Sequence, residues 1–193
     1  MPEFRRFDNI AARGIRDVVQ DVYRRSYVDA IASGDPFDSP VQFMQRFDNY
    51  TNAAGFDLVV AFIAGEPVGQ SWGWPLRQTS RWWEGLALDT PDPTFVQEDG
   101  SRTFALSEVM VCASHTGRGL GRSLHDELLR TRPEQRATLL VDPDNQLAYA
   151  AYRRWGWHRV GTLRPSWENA PTFDVLIRDL STRANADEIA ADG

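Results

Sequence analysis

Residues Val109 to Thr131 read VMVCASHTGRGLGRSLHDELLRT. A β-rich run enters a glycine-rich turn and leaves it as a helix, with Leu120, Leu124 and Leu128 on one face and Leu129 beside it. No other stretch constrains the fold as tightly. The first N–H groups of a helix have no partner within it and carry partial positive charge. With Gly117, Gly119 and Gly121 leaving the backbone uncovered, the turn reads as an anion site at the end of a strand.

Composition narrows which anion. All 21 residues counted as Lys+Arg are arginine, which removes a Walker-type phosphate loop and a pyridoxal Schiff base, both of which need the lysine amine. Asp142, about 20 residues beyond the turn, stands where the ribose-binding acid of a dinucleotide fold belongs. Counting G-x-G-x-x-G from Gly117, however, puts Arg122 at the third glycine, and counting from Gly119 puts Leu124 there. The close helix–strand packing of that fold is therefore lost.

At 193 residues, 42% hydrophobic and 25% charged, the chain has the composition of one globular domain, expected over 1–180 with a loose tail at 181–193. No apolar run is long enough to span a bilayer, and the N-terminus MPEFRRFDNIAARG lacks the apolar block of a signal peptide, so the expected location is cytoplasmic. The net charge of -6 argues against a broad nucleic-acid surface. The single cysteine, Cys112, and the widely spaced His115, His125 and His158 predict no metal site.

Periodicity predicts a short strand at 2–7, a helix over 10–32, and a GDPFDSP loop. A second helix follows, capped by Ser39 with Pro40 in its first position. The segment FDLVVAFIAGEPVGQSWGW reads as a hairpin. Residues 77–100 lose periodicity, and strand returns at 102–111. After the glycine-turn helix come strand (ATLLVD), helix (NQLAYAAYRRW) and two strands (WHRVGTLR, TFDVLIRDL). The fold class is α+β, with a mixed, mostly antiparallel central sheet flanked by helices on both faces.

A second block, Asn145, Ala148, Tyr152, Gly156 and Trp157, follows the spacing N-x-x-A-x-x-x-Y-x-x-x-G-W. Together with Val111–Leu124 it resembles the GNAT superfamily of acyl-CoA-dependent N-acyltransferases. Two departures stand out: Ala113 occupies the family's proline position, and Thr116 the Arg or Gln that opens the phosphate turn. The resemblance implies an N-acetyltransferase that moves acetyl from acetyl-CoA directly to a primary amine. It would place the pyrophosphate on Thr116, Gly117, Arg118, Gly119, Leu120, Gly121 and Arg122. The pantetheine arm would run along Val109 and Val111, with Asn145 bonding it. Tyr152 matches the family's general acid, and Glu108 a position where some relatives carry a basic carboxylate.

A Cys112–His115 nucleophile pair is disfavoured, because the family forms no covalent acyl-enzyme as a rule. For the acceptor, Trp72, Trp74, Trp82, Trp83 and Trp167 are aromatic candidates, and Glu84, Asp89 and Asp92 acidic ones. The expected partners are a small-molecule amine or a peptide N-terminus, with a homodimer as an option, and neither nucleic acid nor membrane. A non-catalytic acyl-CoA-binding or sensing module is the alternative, as is a peptide or protein N-terminal acetyltransferase.

Overall fold

A computed structural model describes residues 1–166 and 170–180. Strand β1 (Glu3–Asp8) ends on Asp8, whose carboxylate accepts from the N–H groups of Ile10 and Ala11 and starts α1 (Asn9–Gly14). The helix predicted over 10–32 is three helices, α1, α2 (Arg16–Ser26) and α3 (Val28–Ser33), divided at Ile15 and Tyr27. At those two residues the backbone leaves helical geometry without a proline to announce it. A 3-10 turn (Pro36–Asp38) leads to α4 (Pro40–Tyr50), which starts as expected, the Ser39 hydroxyl accepting from the Gln42 N–H at 3.3 Å.

The hairpin forms from β2 (Asp57–Ile63) and β3 (Glu66–Pro75), turning at Ala64 and Gly65, both with positive φ. A three-residue strand, β4 (Leu86–Leu88), interrupts the stretch read as aperiodic. Then come β5 (Thr103–Val111), α5 (Leu120–Leu129), β6 (Arg136–Val141), α6 (Gln146–Arg154), β7 (His158–Leu163) and β8 (Phe173–Asp179). The strands form an eight-stranded sheet in the order β1-β2-β3-β5-β6-β8-β7-β4. The β5–β6 pair is parallel, while β1–β2, β2–β3, β6–β8, β7–β8 and β4–β7 are antiparallel, which is the mixed, mostly antiparallel arrangement the sequence predicts. Among the described residues no helix is long and apolar enough to cross a membrane.

Two compact units divide the chain, Met1–Trp74 with Leu106–Thr131, and Pro75–Ala105 with the residues from Arg132 on. In the first unit, one face of the sheet packs against α2 and α4. Val19, Val22, Phe43, Phe47, Phe56, Leu58, Val60, Trp72 and Met110 form that core. Alternation along each strand sets this face, so Trp72 and Trp74 share it on β3 and Glu108, Met110 and Cys112 share it along β5 and just past its end. The opposite face takes α5. A Cβ added at Gly69 would lie 2.8 Å from Leu124 Cδ1 and 2.9 Å from the Met110 carbonyl oxygen, so only glycine lets helix and neighbouring strand close this tightly.

Candidate functional site

The glycine turn follows β5 without a side-chain cap. The Cys112 N–H bonds the Val68 carbonyl at 2.9 Å and a 3-10 turn (Ala113–His115) redirects the chain. Thr116 folds inward, its hydroxyl donating to the Ala113 carbonyl at 2.9 Å. Gly117 and Gly119 have φ of 74° and 78°, the left-handed region that glycine alone adopts without strain, and a Cβ at either would stand in open space. Gly119 is the N-cap of α5, with no side chain bonding the helix end and no acidic residue in the first turn.

The first backbone bond of α5 is Ser123 N–H to Gly119 carbonyl, at 3.1 Å, so the N–H groups ahead of it point out of the helix end. Those features fit an anion held by backbone. Of the two arginines expected to assist, Arg118 is exposed. Arg122 is engaged by Asp126 at 2.8 Å. Burial raises the Asp126 carboxyl, but hydrogen bonds from His125 and Arg122 outweigh it and hold the group well below the usual range.

On the core-facing side of β5, Glu108 occupies a different environment. Removal from water pushes its carboxyl up to about 7, against the lowering pull of the Arg46 guanidinium. The Ser71 hydroxyl donates to its main-chain carbonyl at 2.8 Å and holds β5 to β3 there. Tyr50, at the end of α4, has its phenol raised by burial and then by the Glu108 charge, and its ring stacks on Trp74 at 4.7 Å. Tyr23, on α2, is likewise raised by burial first, with Asp38 and Glu108 adding to it. Its ring stacks on Phe43 at 3.7 Å and its hydroxyl donates to the Asp38 carbonyl at 2.8 Å. Two phenols, one guanidinium and one carboxyl thus share the end of the first unit's core.

The sequence offered tryptophans and acids for the acceptor and did not reveal Arg46, Tyr23 or Tyr50 as site residues. The available signal was Arg46 and Tyr50 one turn apart beside the apolar pair Phe43 and Phe47 on α4. Trp72 is corrected. It is fully buried, with ring centroids 5.4 Å from Phe47 and 5.8 Å from Phe43, so it is core and has no surface to offer a ligand. Trp74 stays at the site through Tyr50. Trp167 lies outside the described residues.

The remaining candidates have other occupations. Trp83 is buried, donating from its indole to Glu98 at 3.0 Å. Glu84 pairs with Arg81, Asp89 with Arg159, and Asp92 bonds Thr94. Cys112 is buried with its thiol pushed up by burial, and His115 shares its Nδ1 hydrogen bond with Ser114, so neither is arranged as an activated nucleophile.

In the second unit, Asn145 is the N-cap of α6, its side-chain carbonyl accepting from the Ala148 N–H at 3.1 Å. That leaves the amide NH2 to donate. Tyr152 is half-buried, its ring edge-on to Trp155 and Trp157 at 5.5 and 6.1 Å. Gly156, at φ 88°, turns the chain from α6 back into β7 and so explains the glycine of the second block.

No curated protein matches the chain in sequence. Solved structures match its fold. An aminoglycoside 6'-acetyltransferase type Ii superposes with TM-score 0.61 at 17% identity, over 92% of this chain and 97% of that one. The ribosomal-protein-S18-alanine N-acetyltransferase of Escherichia coli superposes with TM-score 0.60 at 12% identity, over 93% and 94%. The PaiA N-acetyltransferase of Thermoplasma acidophilum, in complex with coenzyme A, gives TM-score 0.53 at 10% identity, over 93% and 99%. The Acetyltransferase (GNAT) family model matches residues 18–157, well over half of the sequence and including both motif blocks. An uncapped glycine turn at the end of the central strand, carried on this sheet and within this match, shows that the chain belongs to the GNAT family of acetyltransferases, which use acetyl-CoA.

Proposed function

We propose that this acetyltransferase acetylates a primary amine of a small molecule by direct transfer from acetyl-CoA in a ternary complex. The observation that carries the reading is Glu108, a carboxyl poised near neutrality on the same strand that feeds the glycine turn. A primary amine with a pKa of about 10 is mostly protonated at neutral pH, and a base that ionises near 7 is suited to take its proton.

The neutral amine then attacks the thioester carbonyl. A carbon–nitrogen bond forms as the nitrogen releases its surplus proton to water, the carbon–sulfur bond breaks, and the departing thiolate takes a proton. The family motif assigns that proton to Tyr152, the pyrophosphate to the backbone of 116–122, and the pantetheine arm to Val109, Val111 and Asn145. On this reading both motif blocks, which lie within the family match over 18–157, belong to one catalytic domain over 1–180.

The test is a mass-spectrometric screen of amines, peptides and metabolites with acetyl-CoA, and with longer acyl donors alongside, for the gain of one acyl group. Acetylated amines are expected, with turnover about 100-fold lower in Tyr152→Phe. Acetyl-CoA binding without transfer to any amine would instead favour a non-catalytic sensing module. The specific features on that side are Thr116 folded inward and Arg122 held by Asp126. Acetylation confined to peptide N-termini would move the acceptor class to proteins.

A further inference from the structure

Arg46 stands where an amine-binding pocket has no need of a cation. It projects from α4 one turn before Tyr50, with its guanidinium carbon 4.0 Å above the ring of exposed Phe37 and 6.0 Å from Phe43. It donates to the Phe37 carbonyl at 2.8 Å. Among the described residues no carboxylate comes within ion-pair distance of it. Its field nevertheless reaches Glu108, Tyr23 and Tyr50. One backbone carbonyl, an aromatic face and a hydrogen bond with the neutral Tyr23 phenol do not neutralise a half-buried guanidinium, whose planar fork is matched by a carboxylate.

Resting on the acetyl-transfer reading above, we propose that the acceptor is an ampholyte. Its amine lies at Glu108, its carboxylate is held by Arg46, and its body lies along the Tyr50–Trp74 stack. The two protein charges then meet two opposite charges on one small molecule. A polyamine would bring a second cation against Arg46, and a simple amine would leave the guanidinium without a carboxylate. A peptide N-terminus presents an amide where this site calls for a carboxylate.

The experiment compares matched acceptors: amino acids of increasing spacing between amine and carboxylate, each beside its carboxamide and the simple amine that lacks the group. The free carboxylate is expected to raise kcat/KM at least about tenfold over both analogues at one spacing, chiefly through KM. Arg46→Gln should collapse that ratio towards one, and Arg46→Lys should keep part of it, with thermal unfolding used to confirm that both variants fold. Equal or better turnover of the simple amines would overturn the ampholyte while leaving acetyl transfer intact, and so would an unchanged ratio in Arg46→Gln. Acetylation of nothing in the panel, with acetyl-CoA bound, would sink both readings together.

Discussion

Glu108 shows how one residue's chemistry depends on groups distant in the sequence. Its place in the strand was legible from alternation alone, but its ionisation was not. The desolvation comes from α2 and α4 packing over the sheet, and the opposing charge from Arg46, neither of which a strand pattern reveals. If Glu108 is the base, kcat/KM should rise with pH through a midpoint near its value of about 7, and that limb should vanish in Glu108→Gln. A pH profile of both proteins on one good acceptor checks this.

Stability carries the opposite sign. The folded carboxyl titrates above its ordinary 4.5, so the unfolded chain ionises first and the folded state loses relative stability as pH rises from 4.5 to about 7. Glu108→Gln should therefore match the parent near about pH 4 and exceed it near about pH 8, by roughly 2 kcal/mol after allowance for partial solvent access. Denaturant titrations at the two pH values would show it. A variant weaker than the parent at high pH would mean the carboxylate is stabilised, contrary to its burial.

At the scale of elements, legibility followed the locality of the signal. Ser39 with Pro40 marks the start of α4 by the chemistry of a helix end, and the structure begins the helix there. The breaks at Ile15 and Tyr27 were unreadable because the apolar spacing runs on across them. Strand β4 was missed for a different reason. Three residues cannot show alternation, and its pairing is supplied by β7, where Gly161 lets the Ala87–Leu88 backbone approach too closely for any Cβ.

The glycine turn was readable because its glycines have a purpose the backbone states directly. Gly119 combines positive φ with the uncapped end of α5. Gly119→Ala should lower stability by about 1 kcal/mol through backbone strain and weaken acetyl-CoA binding about tenfold by placing a methyl where the phosphates approach. Calorimetry of acetyl-CoA binding, beside a thermal melt, separates the two effects. An unchanged affinity with a lowered melt would leave the turn a connector only.

For the molecule as a whole, the acidic sequence conceals a difference between charges that stabilise and charges that decorate. The stretch read as a long aperiodic connection is held down by Glu98. One carboxylate oxygen of Glu98 accepts from Trp83 at 3.0 Å, from Thr103 at 2.8 Å and from Arg136 at 3.2 Å. Its side chain is 2% exposed and that of Arg136 13%. Burial, helped by the neighbouring charge of Arg102, lowers the Arg136 pKa despite the pull of Glu98.

Removing the carboxylate would leave the Trp83 indole without its acceptor and the Arg136 guanidinium, still bonded to the Phe95 carbonyl and the Thr103 hydroxyl, without its counter-charge. Glu98→Ala should therefore cost about 3 kcal/mol or more, measured by urea unfolding. The pair of Asp89 with Arg159 joins the same kinds of group, yet the Asp89 side chain is 53% exposed and water replaces its partner at little cost. Asp89→Ala should cost no more than about 0.5 kcal/mol. Equal losses in the two variants would show that ion pairing as such, and not exclusion of water from the buried acid, holds the connection between β3 and β5 in place.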